Sequence, residues 1–320
     1  MQYPDDFPAF RALSAALGSD PLRVQGPGGN TSIKDGDVMW IKASGTELAN
    51  ALTEDIFVAV DRAAAKAEAN GAGDGTCKAT VIDPAITLRP SIETTFHAAL
   101  DWAVIAHTHS IATLVHGVSA KGCAAAAEKL AGLPHCFVPY AKPGLPLTGE
   151  ILSRSTAETQ VIVLENHGLI CCGNTVADVE ALTEEVERRL HMPVLRGVAA
   201  PSGPAQEGFD WAEEGWIATD AAACGLALAG SYYPDHVVFL GPALPEADNE
   251  TNPPAIVAAG EGIMLRQGAT SSQRAMLRCL ADLLSRLPDD WHPRAIGPEA
   301  EAELLNWDAE KYRQALAARA

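Results

Sequence analysis

The reading of this chain turns on Val104-Ile105-Ala106-His107-Thr108-His109. Three apolar residues make a short β run, and two imidazoles follow it two residues apart. Side chains alternate across a strand, so His107 and His109 fall on one face. Neutral imidazole nitrogens placed this way can converge on one cation at about 2.0–2.1 Å. A bare His-x-His also fits two polar residues closing a strand. Its meaning depends on what surrounds it.

Downstream, two apolar runs, Val161–Leu164 and Leu169–Cys172, flank Asn166-His167-Gly168 and predict a hairpin with His167 at its tip. Rigid scaffolds commonly present functional side chains from turns. Three histidines on two rigid elements leave a coordination position open, as in catalytic rather than structural zinc sites. His116 sits among apolar neighbours on a short helix and reads as a packed core histidine, and His135 is a weaker candidate. Upstream, Ser91 is placed to cap a helix over about Ser91–Trp102, with Ile92, Phe96, Ala99 and Leu100 as its apolar stripe. Glu93 then falls in the first turn, where the helix dipole favours an anion. Acids there often only cap. Here the next strand carries His107 and His109 back to the same region, where a carboxylate can ligate a metal or act as a general base.

The remaining chain alternates helices and strands. A helix near Phe7–Gly18 precedes the turn Gly26–Asn30, a strand pair spans Thr31–Lys42, and a helix covers Val176–Leu190. Small residues and prolines gather at Pro193–Gly208, the expected edge between a catalytic domain (1–195) and a C-terminal extension (210–320). In the extension, a helix is expected near Trp211–Leu228, a strand at Val237–Leu240, a polar loop at Glu246–Pro254 and a helix at Ser271–Leu287. The chain has 320 residues, 48% of them hydrophobic, enough for a packed core. With 41 acids against 23 Lys and Arg, the net charge of −18 argues against nucleic-acid and anionic-membrane binding. No apolar run approaches the ~18 residues of a membrane-spanning helix. The first ten residues lack a signal pattern, and seven scattered cysteines read as reduced core thiols. A cytoplasmic protein is the expectation.

In order along the chain stand Gly28-Gly29-Asn30-Thr31-Ser32, Ile41-Lys42-Ala43-Ser44-Gly45, Pro90-Ser91-Ile92-Glu93, His107-Thr108-His109 and Asn166-His167-Gly168. Together these resemble the class II aldolase/adducin family over about residues 5–195. The likeness is greatest to the aldolase part of bifunctional rhamnulose-phosphate aldolase/short-chain dehydrogenase proteins. The segment Tyr233–Pro242 also looks like that group, but the dehydrogenase part is missing.

The resemblance implies an αβα fold with a mainly antiparallel sheet, usually in a homotetramer. It implies a divalent metal, Zn2+ first, on His107, His109 and His167, with Glu93 as acid/base. Tyr140, in Tyr140-Ala141-Lys142-Pro143-Gly144, matches a proton-donor tyrosine, although a buried structural tyrosine would look the same. Gly29, Asn30, Ser44, Gly45 and Ser91 match a phosphate site, whose second serine is Ile92 here. Lys42 stands where simpler aldolases have a small residue and reads equally as an anion contact or a solvated strand lysine. The implied activity is a lyase that cleaves a short sugar or sugar phosphate through a metal-stabilised enediolate. A phosphosugar 4-epimerase and a 3-oxo acid phosphate decarboxylase share that step, and a non-catalytic adducin-like module shares the fold.

Overall fold

The computed structural model describes residues 3–198, 203–246 and 252–318. Up to Leu190 the elements are α1 (Phe7–Ser19), β1 (Asn30–Asp35), β2 (Val38–Lys42), β3 (Phe57–Asp61), α2 (Arg62–Ala67), α3 (Thr94–Ala99), β4 (Val104–Thr108), α4 (Ile111–Gly117), α5 (Ala120–Lys129), β5 (His135–Val138), α6 (Leu145–Arg154), β6 (Val161–Leu164), β7 (Gly168–Gly173) and α7 (Val176–Leu190). Their strands form one sheet in the order β3-β2-β1-β4-β7-β6-β5. Every pair is antiparallel except β5–β6 at one edge. This is the expected αβα arrangement with a mainly antiparallel sheet.

Alternation along the central strand β4 sorts the layers. Val104 and Ala106 pack with Phe10, Leu17, Val179 and Val186 from α1 and α7. Ile105 packs on the other face with Phe96, Leu147 and Ile151 from α3 and α6. His107 continues the Ile105 face. Its register partners are Asn30 on β1 and Ile170 on β7, so the glycine turn and the hairpin both arrive beside it.

Beyond α7 follow β8 (Phe209–Trp211), α8 (Trp216–Thr219), α9 (Ala221–Ala229), α10 (Pro234–Leu240), β9 (Ala255–Ala258), β10 (Gly262–Arg266), α11 (Ser271–Arg286), α12 (Pro298–Leu305) and α13 (Asp308–Ala317). The second sheet has the order β8-β10-β9. Ile111, Leu114, Val115 and Val118, in and just after α4, share one apolar core with Ile217, Tyr233, Phe239 and Leu280. The C-terminal segment therefore packs directly on the helix that follows His109.

Several local expectations change. Val237–Leu240 belongs to the helix α10, not to a strand. Pro234 opens that helix after an extended Tyr233, and every residue in it is buried, so no periodicity separates it from a buried strand. The helix expected over Trp211–Leu228 is broken, with Asp220 receiving the Ala223 N–H to start α9 afresh. The helix expected over Ser91–Trp102 shrinks to Thr94–Ala99, and Glu93 stands just ahead of it. Ser91 Oγ instead accepts the Glu93 N–H at 3.3 Å. Strands β9 and β10 were not anticipated. Residues 199–202 of the expected linker and 247–251 of the polar loop lie outside the described residues.

The hairpin tip is sterically tight. Asn166 adopts φ 52°, and a Cβ at Gly168 would lie 2.2 Å from the Thr108 carbonyl oxygen. Gly168→Ala must push β4 and β7 apart, with an expected loss of about 1–3 kcal/mol in chemical denaturation. Gly149→Ala, in α6 with nothing within 4 Å of the new methyl, should leave stability unchanged or slightly raised.

Candidate metal centre

His107, His109 and His167 meet at one end of β4. All three are buried, and one ligand nitrogen from each lies within 4.8 Å of the others. Their ring centroids are 4.9–5.2 Å apart. The His107 Nδ1–H donates to the Leu169 carbonyl at 3.0 Å, which leaves Nε2 as a bare acceptor. That Nε2 is buried and has no hydrogen-bond partner. Burial lowers the pKa of His107, and it lowers that of His167 to about 3. Both rings are neutral at neutral pH, the form that binds a cation.

Glu93 faces this cluster. Its Oε2 is 3.4 Å from His107 Nε2, and its Oε1 is 3.6 Å from His167 Nε2. The Asn30 amide donates to Oε2 at 2.8 Å, whereas Oε1 is buried without a partner. Burial pushes this carboxyl up, but the facing imidazoles and the Asn30 amide outweigh it and hold it below the ordinary carboxylate range. Asn30 is itself oriented. Its Oδ1 meets His97 Nε2, and His97 Nδ1 meets Ser32 Oγ at 2.7 Å. With the Asn30 amide donating to Glu93, Oδ1 must accept from His97 Nε2–H, so Nδ1 accepts from Ser32. Burial, the larger cause, keeps that imidazole neutral. Ser32 and His97 escaped the sequence reading. The available signal was His97 four residues after Glu93, one helical turn away.

A cavity of about 30 Å3 opens on the cluster, lined by Gly29, Asn30, Lys42, Ser44, Gly45, Ser91, Ile92, Glu93, His109 and His167. The expected anion-site residues are thus together with the metal-site residues, although the Asn30 amide is engaged by Glu93. Lys42 is buried, and its ammonium donates to the Pro27 and Ala43 carbonyls at 3.1 and 3.4 Å. It is no solvated strand lysine. Burial lowers its pKa to about 7. Tyr140 does not line this cavity. Its hydroxyl is buried without a partner, and burial raises its pKa.

The fourth wall comes from the C-terminal segment: Asp235 of α10 and Glu310 and Arg313 of α13. Arg313 forks onto both oxygens of Asp235, at 2.7 and 3.1 Å, and also reaches Glu310 at 2.9 Å. Leu316 packs so closely on Gly45 that a Cβ there would lie 2.4 Å from it. Of these C-terminal residues the sequence reading touched only Asp235, inside the family-like segment Tyr233–Pro242, and gave it no role. About 30 Å3 holds a water or two, and α13 forms one wall of this narrow cavity. Outside lies a groove of about 720 Å3 that shares Ser44, Ile92 and Pro143 with the chamber wall.

Residues 15–194 match the family described as "Class II Aldolase and Adducin N-terminal domain". The chain belongs to this family. Over 181 residues it is 30% identical to an uncharacterized oxidoreductase, YuxG, of Bacillus subtilis, covering 51% of this chain and 26% of that protein. The chain thus spans about a quarter of that relative. Over 184 residues it is 28% identical to the L-fuculose phosphate aldolase of Methanocaldococcus jannaschii, covering 55% of this chain and 89% of that one. Among solved structures, the N-terminal class II aldolase domain of a conserved Thermoplasma acidophilum protein superposes with a TM-score of 0.52. It has 27% identity and covers 59% of this chain and 94% of that one. No helix among the described residues is long and apolar enough to cross a membrane.

Lys42 gives the chamber a measurable pH signature. Its pKa is depressed in the folded state, so the unfolded chain binds the extra proton between about pH 7 and 10.5. The cost of burying the ammonium is full below pH 7 and vanishes as pH rises through that window. Lys42→Met removes the cost at every pH. The stability gain of Lys42→Met over wild type should therefore be largest at pH 6 and shrink towards pH 10, as read from denaturation curves at both. A pH-independent difference would contradict a buried, weakly paired ammonium.

Proposed function

We propose that this chain acts as a metal-dependent, aldolase-type lyase that cleaves a short sugar or sugar phosphate. One observation carries the reading: three buried, convergent imidazoles face a buried carboxylate whose Oε1 is free. The donor set suits Zn2+, held by His107, His109 and His167 with a position left open. Such an ion supplies Lewis-acid stabilisation of the negative charge left on the substrate as its carbon–carbon bond breaks.

The chain's own residues do the rest. Glu93, ionised at neutral pH, takes the proton from the hydroxyl on the far carbon. Asn30 occupies Oε2, so the proton is received at Oε1. As that O–H bond breaks, its electrons form the aldehyde C=O. The carbon–carbon pair passes to the other fragment, which later takes up a proton at carbon. Ser44, Gly45, Ser91 and the Lys42 ammonium form the end suited to a phosphate or carboxylate. A sugar exceeds this cavity, and the adjoining groove of about 720 Å3, which shares Ser44, Ile92 and Pro143 with it, offers room for the rest of the substrate. Homotetramer assembly and the identity of the sugar belong to the same proposal.

Glu93→Gln separates proton transfer from metal binding. The amide keeps its shape beside three histidines, so metal content should stay near one per chain. Turnover of the sugar phosphate identified by substrate screening should fall about 10²–10⁴-fold. Stripping the wild type with a chelator should abolish turnover, and added Zn2+ should restore it. Wild-type turnover in metal-replete Glu93→Gln would sink the assignment of Glu93, and turnover indifferent to the chelator would sink the metal.

A further inference from the structure

We propose that Asp235 is a positioning residue for the metal ligand His109, fixed in turn by Arg313, so that the C-terminal segment completes the metal centre. This rests on the metal-site reading above. Asp235 Oδ2 faces His109 Nδ1 at 3.4 Å. A carboxylate there keeps the proton on Nδ1 and presents Nε2 as a ligand. Both groups press against the glycine turn. A Cβ at Gly28 would lie 2.8 Å from His109 Nδ1 and 3.0 Å from Asp235 Oδ2, so neither side chain has room to turn away on that side.

Asp235 is 1% exposed, and Glu310 and Arg313 are nearly as buried. Burying two carboxylates and a guanidinium is expensive, and apolar side chains would fill the space with less desolvation. What apolar filling would not supply is a carboxylate aimed at a ligand's second nitrogen. Arg313 uses both Asp235 oxygens, which fixes the plane of the carboxylate and its direction. The same segment holds a second ligand's backbone. Asn166, which precedes His167, donates to the Tyr232 and Arg294 carbonyls at 3.1 and 2.9 Å. Two of the three ligands are thus set by residues beyond α7, and His107 by the sheet.

The test is metal affinity of the 320-residue chain, by competition of Zn2+ against a chromophoric chelator and by the visible spectrum of bound Co2+. Asp235→Ala should weaken Zn2+ about 10–100-fold. Asp235→Asn, which keeps one acceptor without the charge, should weaken it less, and Arg313→Gln should also weaken it while Arg313→Lys restores part of the loss. Ser231→Ala breaks the buried Ser231–Glu301 hydrogen bond (2.6 Å) elsewhere in the segment and should leave affinity within twofold of wild type. An Asp235→Ala chain that binds Zn2+ within twofold of wild type overturns the proposal. So does a Ser231→Ala loss equal to that of Asp235→Ala, which would mark general loosening. Where Asp235→Ala fails to fold, wild-type affinity in Asp235→Asn and Arg313→Gln together overturns it as well. A wild type that binds neither Zn2+ nor Co2+ brings down the metal-site reading itself, a result distinct from these.

Discussion

Every polar atom buried at the end of β4 needs a partner, and much of the architecture follows from meeting that demand. A lone buried acceptor costs about 1–3 kcal/mol, and a buried charge costs more. His107 is satisfied at Nδ1 by the sheet, and Glu93 at Oε2 by Asn30. Asn30 is fixed by His97, and His97 by Ser32. That chain of bonds runs from β1 through α3 and back. His107 Nε2 and Glu93 Oε1 are left without a partner in the cluster, as are His167 Nδ1 and the neighbouring Thr108 Oγ1. The first two belong to the groups that would face a cation and a substrate.

The roof obeys the same accounting with a different balance. Inside, α13 is held by the Arg313–Asp235 pair, and outside by Tyr312 under Arg89 (3.9 Å), with Trp307 just ahead of the helix under Lys142 (4.8 Å). Exposed cation–π contacts contribute about 0.5–1 kcal/mol each. The buried ion pairs are individually stronger, but much of their attraction is offset by desolvation. Leu316 adds an apolar contact on Gly45, while α10, which carries Asp235, shares its apolar core with α11 and α4. The Arg313–Asp235 pair thus ties the last helix to a firmly packed one.

The legible part of the site is the part that sequence proximity encodes. His107 and His109 declare themselves by strand period, His167 by its turn and Glu93 by its place at the start of an expected helix. The layering followed because β4 alternates in the sheet as its residues alternate along the chain. Ser32 and His97 were silent, since their pairing arises only when α3 lies across β1. Asp235 was silent for a different reason. It is one acid in a short apolar helix, and Arg313 lies on an ordinary charged helix far along the chain. Only tertiary packing brings them to His109. The misread Val237–Leu240 belongs with these: complete burial erased the period that would have announced a helix.

The chamber's cations make sense against the charge of the whole. With a net charge of −18, the protein repels an anionic substrate at long range. Screening limits that repulsion to about 8 Å at physiological ionic strength, so it slows encounter more than it weakens a bound state. Affinity must then come from groups at contact distance in a water-poor chamber, where the effective dielectric falls and one ammonium counts for more. Lys42 is such a group, bonded to two carbonyls and no carboxylate. Arg313 differs, since it is already bonded to the carboxylates of Asp235 and Glu310. In the proposed reading, an anion at the Ser44–Gly45 end meets Lys42, which no carboxylate bonds, beside an Arg313 already paired with two carboxylates. The first would then recognise the substrate and the second hold the site in shape.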